Sequence, residues 1–394
     1  MRPESIAWER AAAVRAAADG WRRAEAIGAP THEAIRNAYS DPCITPSAVW
    51  RALTAVMVTA VVLCTFGAFA LAIRPREIGL GLLLWLFGAA CVVATELLEV
   101  SPRFARRGAA GAAAFWGILL FVGGLGLLLR EILAIPGEDA LRLFLLTGAL
   151  TWAAACWRWG SPLFAGLSVA SFFVLLAQLP FGRVLWIVVG VVLAGVAARC
   201  LDDGALAPSH RRAAMVVLLA AVAAIYVALN IYSLDHDLLQ TLRPSAPQRV
   251  VPSVIVFAGA AAATAVLPIA VLAWGWRSRR TVLLDAGIVL VALSLVTLRY
   301  YVHLAPLWAV LLVSGAALVA LALAVERALR RVPDGEQAGF TTEALFSDDR
   351  GQKVLQVVAV AGTFTPAAAA AAPAERSFVP GGGASGGAGA SGKF

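Results

Sequence analysis

The chain has 394 residues, of which 60% are hydrophobic and only 14% charged, and its mean hydropathy is +0.81. Soluble domains run at about 45–50% apolar and about 25% charged, so an ordinary water-soluble enzyme and a disordered chain are both excluded. The net charge of +8 does not indicate a nucleic-acid arm. The cations are nearly all arginines, set singly or in threes beside apolar runs, and no run of five basic residues exists.

In chain order, residues 1–47 are rich in Ala and charge, with no early apolar core, so they do not read as a signal peptide. They predict a small helical head. Pro3 suits a first helical turn, and Ala7, Val14 and Trp21 form a narrow apolar stripe. Gly28 and Pro30 end that helix, and Thr31 caps a second one through Arg36. A head this small has little core of its own. It lies on the membrane surface, packs on a loop of the bundle, or pairs with another protein.

Residues 48–331 carry apolar runs near the roughly 20 residues that a membrane helix needs. Ten spans are expected, at about 52–73, 78–98, 109–129, 140–157, 161–180, 183–199, 213–234, 251–275, 281–299 and 305–325. Barrel strands would be about ten residues long and would alternate; these runs do neither. The fold class is therefore all-α, a polytopic helical membrane bundle. The weakest division is between the fifth and sixth spans, where only Leu179–Gly182 intervenes.

With the N-terminus inside, the inner segments hold the clusters Arg103, Arg106, Arg107; Arg277, Arg279, Arg280; and Arg327, Arg330, Arg331. Arg158, Arg199, Arg211 and Arg212 bring the inner total to thirteen, against eight on the outer loops. The bias places both termini in the cytoplasm, in a bacterial inner membrane. Trp50, Trp157, Trp159, Trp274 and Trp276 fall at the same inner ends and Trp308 at an outer one, as amphipathic rings at the headgroup level do. Cys156-Trp-Arg-Trp-Gly and Ala273-Trp-Gly-Trp-Arg echo one another at two such ends, without convincing alignment of their flanks.

Residues 332–394 form a cytoplasmic tail: a polar linker to Phe340, then an apolar run Val354–Ala361, too short to span and suited to docking as a helix or strand. The Gly-, Ala- and Ser-rich end beyond about 366 has no means to bury a core and is expected to be flexible.

Ionisable groups inside spans are costly and mark function or pairing. Glu96 and Glu99 share a face at the inner end of the second span, with Arg103, Arg106 and Arg107 close behind. They read as an interfacial salt-bridge cluster, or as a proton or cation site. Asp285, a turn into the ninth span, is stabilised by the helix dipole or lines a proton path. Tyr226 and Asn230, four apart in the seventh span, suit helix–helix hydrogen bonding. Asp235-His236-Asp237 with His303 is a weak zinc pattern, because adjacent loop residues seldom converge on one ion. The five cysteines include no C-x-x-C pair. Hydrolase, zinc-protease and phosphate-loop motifs are missing, so neither catalysis nor a cofactor is expected. Gly123-Gly-Leu-Gly reads as close helix packing.

The stretch Leu298-Arg-Tyr-Tyr-Val-His-Leu with Trp308, Gly315 and Glu326-Arg resembles the final span of uncharacterised bacterial membrane proteins. Those carry a small cytoplasmic helical head and eight to twelve spans. The Gly-rich ending with a terminal aromatic is similar to tails of TPM-domain membrane proteins, whose TPM domain this chain lacks. The resemblance implies no substrate and no catalytic residue. Together these readings point to a non-enzymatic membrane scaffold whose head or tail meets a protein partner in addition to the bilayer. The alternative is a secondary transporter or channel for a small solute, which the scarcity of midplane acids disfavours.

Overall fold

The computed structural model describes residues 3–23, 26–39, 47–100, 108–203, 205–236, 238–239, 242, 253–278 and 280–301, with scattered positions from 312 to 341. It divides into two units, Met1–Leu311 and Leu312–Phe394.

In the first unit, the head consists of α1 (Pro3–Arg23) and α2 (Ala29–Ala38). The bundle follows as α3 (Ala48–Ile73), α4 (Glu77–Val100), α5 (Ala109–Leu133), α6 (Gly137–Trp159), α7 (Pro162–Ala177) and α8 (Gly182–Asp202). It continues through α9 (Pro208–Leu229), the short α10 (Ile231–Asp235), α11 (Val254–Ser278) and α12 (Thr281–Tyr301). In the second unit the described residues include a two-residue antiparallel pair, β1 (Glu336–Gln337) with β2 (Phe340–Thr341), within what the sequence reads as a plain linker.

Eight of the described helices are long and apolar enough to cross a membrane, and they define a multi-pass integral membrane protein. They match eight of the ten expected spans. The fifth expected span becomes α7, only 16 residues, or roughly 24 Å at 1.5 Å per residue, less than the about 30 Å of a hydrocarbon core. Its end at Ala177 is set by the turn 178–181, where Phe181 adopts a left-handed φ of 63°. The tenth expected span and Val354–Ala361 lie largely or wholly outside the described residues.

Helix ends follow local chemistry. The Ser47 hydroxyl accepts from Trp50 N at 3.4 Å and starts α3. Pro162 and Pro208 open α7 and α9, where a missing N–H costs nothing. In the head the expectation needs correction. The N-cap of α2 is Gly28, not Thr31, and Pro30 sits inside the first turn, where its fixed φ is tolerated. Trp21 is half exposed, while Ala18 is the fully buried residue of α1, because the small-residue face allows closer packing than the aromatic stripe would.

The tightest pair is α4 with α5, and glycine is the reason. A Cβ on Gly88 would stand 2.3 Å from Phe121 N, and one on Gly124 would stand 2.4 Å from Trp85 N. Gly81 and Gly88 on one helix thus face Gly124 and Gly117 on the antiparallel other, letting backbones approach as membrane helices require. Of the string Gly123–Gly126, Gly124 carries this contact, while a Cβ on Gly123 would meet open space. The pairs α6–α7, α8–α9 and α11–α12 also pack as hairpins joined at the end of the bundle that carries α1, here termed the head end.

Candidate functional site

Two polar layers lie at opposite ends of the bundle. At the head end, the last turns of α4 and the end of α6 both pack on α5 and meet through side chains. There Glu96 Oε2 accepts from Arg158 Nη2 at 2.5 Å, and Glu96 Oε1 accepts from Trp159 Nε1 at 3.0 Å. The Trp159 ring stands edge-on to buried Phe164, which continues through Trp152 to Phe115. Among the described residues, an arginine from α6 is thus an ion-pair partner of Glu96. The arginines expected beside it, Arg103, Arg106 and Arg107, lie outside the described residues.

Glu99, one turn further, lines a cleft of about 640 Å³ with Glu9, Arg51, Thr95 and Arg212. The head closes one side of it. The Glu9 carboxylate accepts from Ser209 N at 3.2 Å, giving α9 the cap that Ala207 cannot supply. Arg10 donates to Ala205 O at 2.7 Å. The opposite wall depends on Gly108, whose φ is +81° and whose missing Cβ would lie 2.5 Å from Arg51 O. No other residue satisfies both conditions. At the same end, Arg280 donates to Ala198 O at 3.0 Å and to Asp202 at 2.6 Å, tying the start of α12 to the end of α8. Arg211 also donates to Asp203 O at 2.9 Å, so two head-end arginines close the C-terminus of α8 as well as carrying charge.

At the far end the seventh expected span is interrupted. Asn230 is not on the helix with Tyr226. It is extended (φ −65°, ψ 131°) between α9 and α10. Its Oδ1 accepts from Tyr232 N (2.9 Å) and Ser233 N (3.3 Å), and its Nδ2 donates to Thr297 Oγ1 at 3.4 Å. An Asn side chain competes with the helical ladder for backbone donors, and here it wins. Tyr226 reaches Ser294 at 3.0 Å, and Thr264 accepts from Ile231 N at 3.0 Å. Arg183 bridges the break, donating to Ala228 O (2.8 Å) and Ser233 O (3.0 Å). Freed backbone groups at membrane depth need such partners.

Asp285 is exposed on α12 and lines neither the head-end cleft nor the apolar cavities. Asp235 accepts from Tyr301 OH at 2.8 Å, and His236 stacks on Tyr232 at 4.1 Å. Among the described residues no group of three His, Cys, Asp or Glu is placed to hold a metal ion; Asp237 and His303 lie outside them. Arg158, Glu9, Arg10 and Arg183 are absent from the candidates read off the sequence. Trp-Arg-Trp at 157–159 was the available signal for the first, since a cation flanked by interfacial rings sits where a carboxylate on a neighbouring helix can reach it.

Comparison with protein-family models, curated proteins and solved structures finds no match to this chain.

Proposed function

We propose that this multi-pass membrane protein is a non-enzymatic scaffold of a bacterial inner membrane. Both termini are cytoplasmic, and a protein partner is engaged at the head end. The observation that supports this reading is the cleft framed by Glu9, Arg51, Glu99 and Arg212 between head and bundle. It carries both signs of charge, which can fix the choice and register of a charged partner. The test is a photo-crosslinker at Ala13, on the cleft wall, in living cells. One discrete heavier species is expected, lost in Arg51→Glu at unchanged protein level. Crosslinks to lipid alone would contradict the proposal.

One observation favours a second reading, transport of a small solute: the cleft reaches an acidic residue of a span, Glu99. Against it, another cavity between helices, of about 330 Å³, is lined by apolar residues such as Val222, Leu267 and Val271, and Glu96 is engaged by Arg158 and Trp159. Flux into proteoliposomes that is lost in Glu99→Gln and retained in Arg158→Gln would promote the transport reading.

A further inference from the structure

A third cavity, of about 430 Å³, runs along α4, α5 and α6. Its length is apolar, walled by Ala89, Val93, Phe121 and Ala154, and its charged residues are Glu96 and Arg158. The lining begins seven residues before the charged one on both helices, at Ala89 before Glu96 on α4 and at Thr151 before Arg158 on α6, so about 10 Å of groove leads to a charged end. Thr151 does not interrupt it, because its hydroxyl is turned back to Thr147 O at 2.5 Å. The charged end lies beside Trp157 and Trp159, at the level where interfacial rings sit. This is the layout of an amphiphile, with tail and head in one line.

The groove is narrow, bounded by small residues such as Ala89 and Ala154 on the two facing helices. A single hydrocarbon chain suits it. The headgroup chemistry follows from Arg158. Its side chain is 36% exposed and spends one N–H on Glu96. A guanidinium has five N–H donors, so others can meet an anionic oxygen, and a phosphodiester suits that fork.

We propose that this groove is a binding site for one glycerophospholipid, with an acyl chain between α4, α5 and α6 and its phosphodiester on Arg158. The site is independent of the scaffold reading, since it uses a different cavity. The test is native mass spectrometry of the full chain released from nanodiscs of phosphatidylethanolamine and phosphatidylglycerol. The wild type should retain one phospholipid per chain. Ala154→Trp, which fills the groove from its exposed side, and Arg158→Gln should each lower retention about tenfold, with Arg158→Lys keeping most of it. Val93→Phe repeats the groove-filling arm from the opposite wall should Ala154→Trp fail to fold. Inorganic phosphate should not compete. Wild-type retention in a folded groove-filled variant, equal retention of diacylglycerol, or displacement by inorganic phosphate would each overturn the proposal.

Discussion

The two ends of the bundle handle polar groups in opposite ways. At the far end, side chains serve the backbone. Asn230, Thr264 and Arg183 satisfy N–H and C=O groups freed where α9 breaks, and Tyr226 and Ser294 satisfy each other. At the head end, charged groups pair across helices, Glu96 with Arg158 and Asp202 with Arg280, and a cleft of about 640 Å³ lined by further charged residues remains open. Buried polar groups are expensive when left unpartnered, so these bonds hold the break together, while Ser233 Oγ in the same turn has no hydrogen-bond partner among the described residues. The head end keeps charge beside a recess, where a partner can use it.

That contrast can be broken by substitution. The largest effect is expected at Asn230→Leu. It strips a buried acceptor from Tyr232 N and Ser233 N, each costing roughly 1–3 kcal/mol when left unpaired. Thermal unfolding in detergent should show a clear drop, and an unchanged midpoint would mean that the break needs no side-chain cap. Arg183→Gln comes next, since two carbonyls lose a charged donor worth about 1.5–3 kcal/mol in all. Chemical unfolding of the same preparation checks this.

Glu9→Ala should cost about 0.5–2 kcal/mol, the usual range for a lost N-terminal cap. The loss should fall where the head meets α9, read as faster hydrogen exchange in α1 and at the Ser209 amide, with the rest of the bundle unchanged. Glu96→Gln should be mildest. The pair with Arg158 is partly exposed on both sides, at 29% and 36%, and such pairs contribute about 0–1 kcal/mol. A loss as large as that of Asn230→Leu would erase the distinction between the ends.

Most of the bundle was legible because a span imposes its own length and hydropathy on the sequence. Eight described helices fall where apolar runs stand. The break at Asn230 was not legible, because residues 213–234 are continuous in hydropathy and the interruption depends on one amide finding donors two and three residues on. The shortness of α7 had a local signal that hydropathy overrode: Gln178, its C-cap, and Pro180 both stand in the turn that ends it. At the site, Glu96 and Glu99 stood out as acids in an apolar run. Their surroundings did not, since Arg158 is 62 residues away in sequence and Glu9 belongs to a head whose docking surface no local pattern announces.

The most direct test of the head-end account is thiol labelling of Ala13→Cys, on the cleft wall, with a membrane-impermeant reagent. Labelling above the wild-type background is compared in sealed cells, inverted membrane vesicles and purified protein. The account predicts no added labelling in sealed cells, and labelling in inverted vesicles that is slower than in the purified protein, because a partner covers the cleft. Labelling from outside sealed cells, or equal rates in vesicles and purified protein, would contradict it.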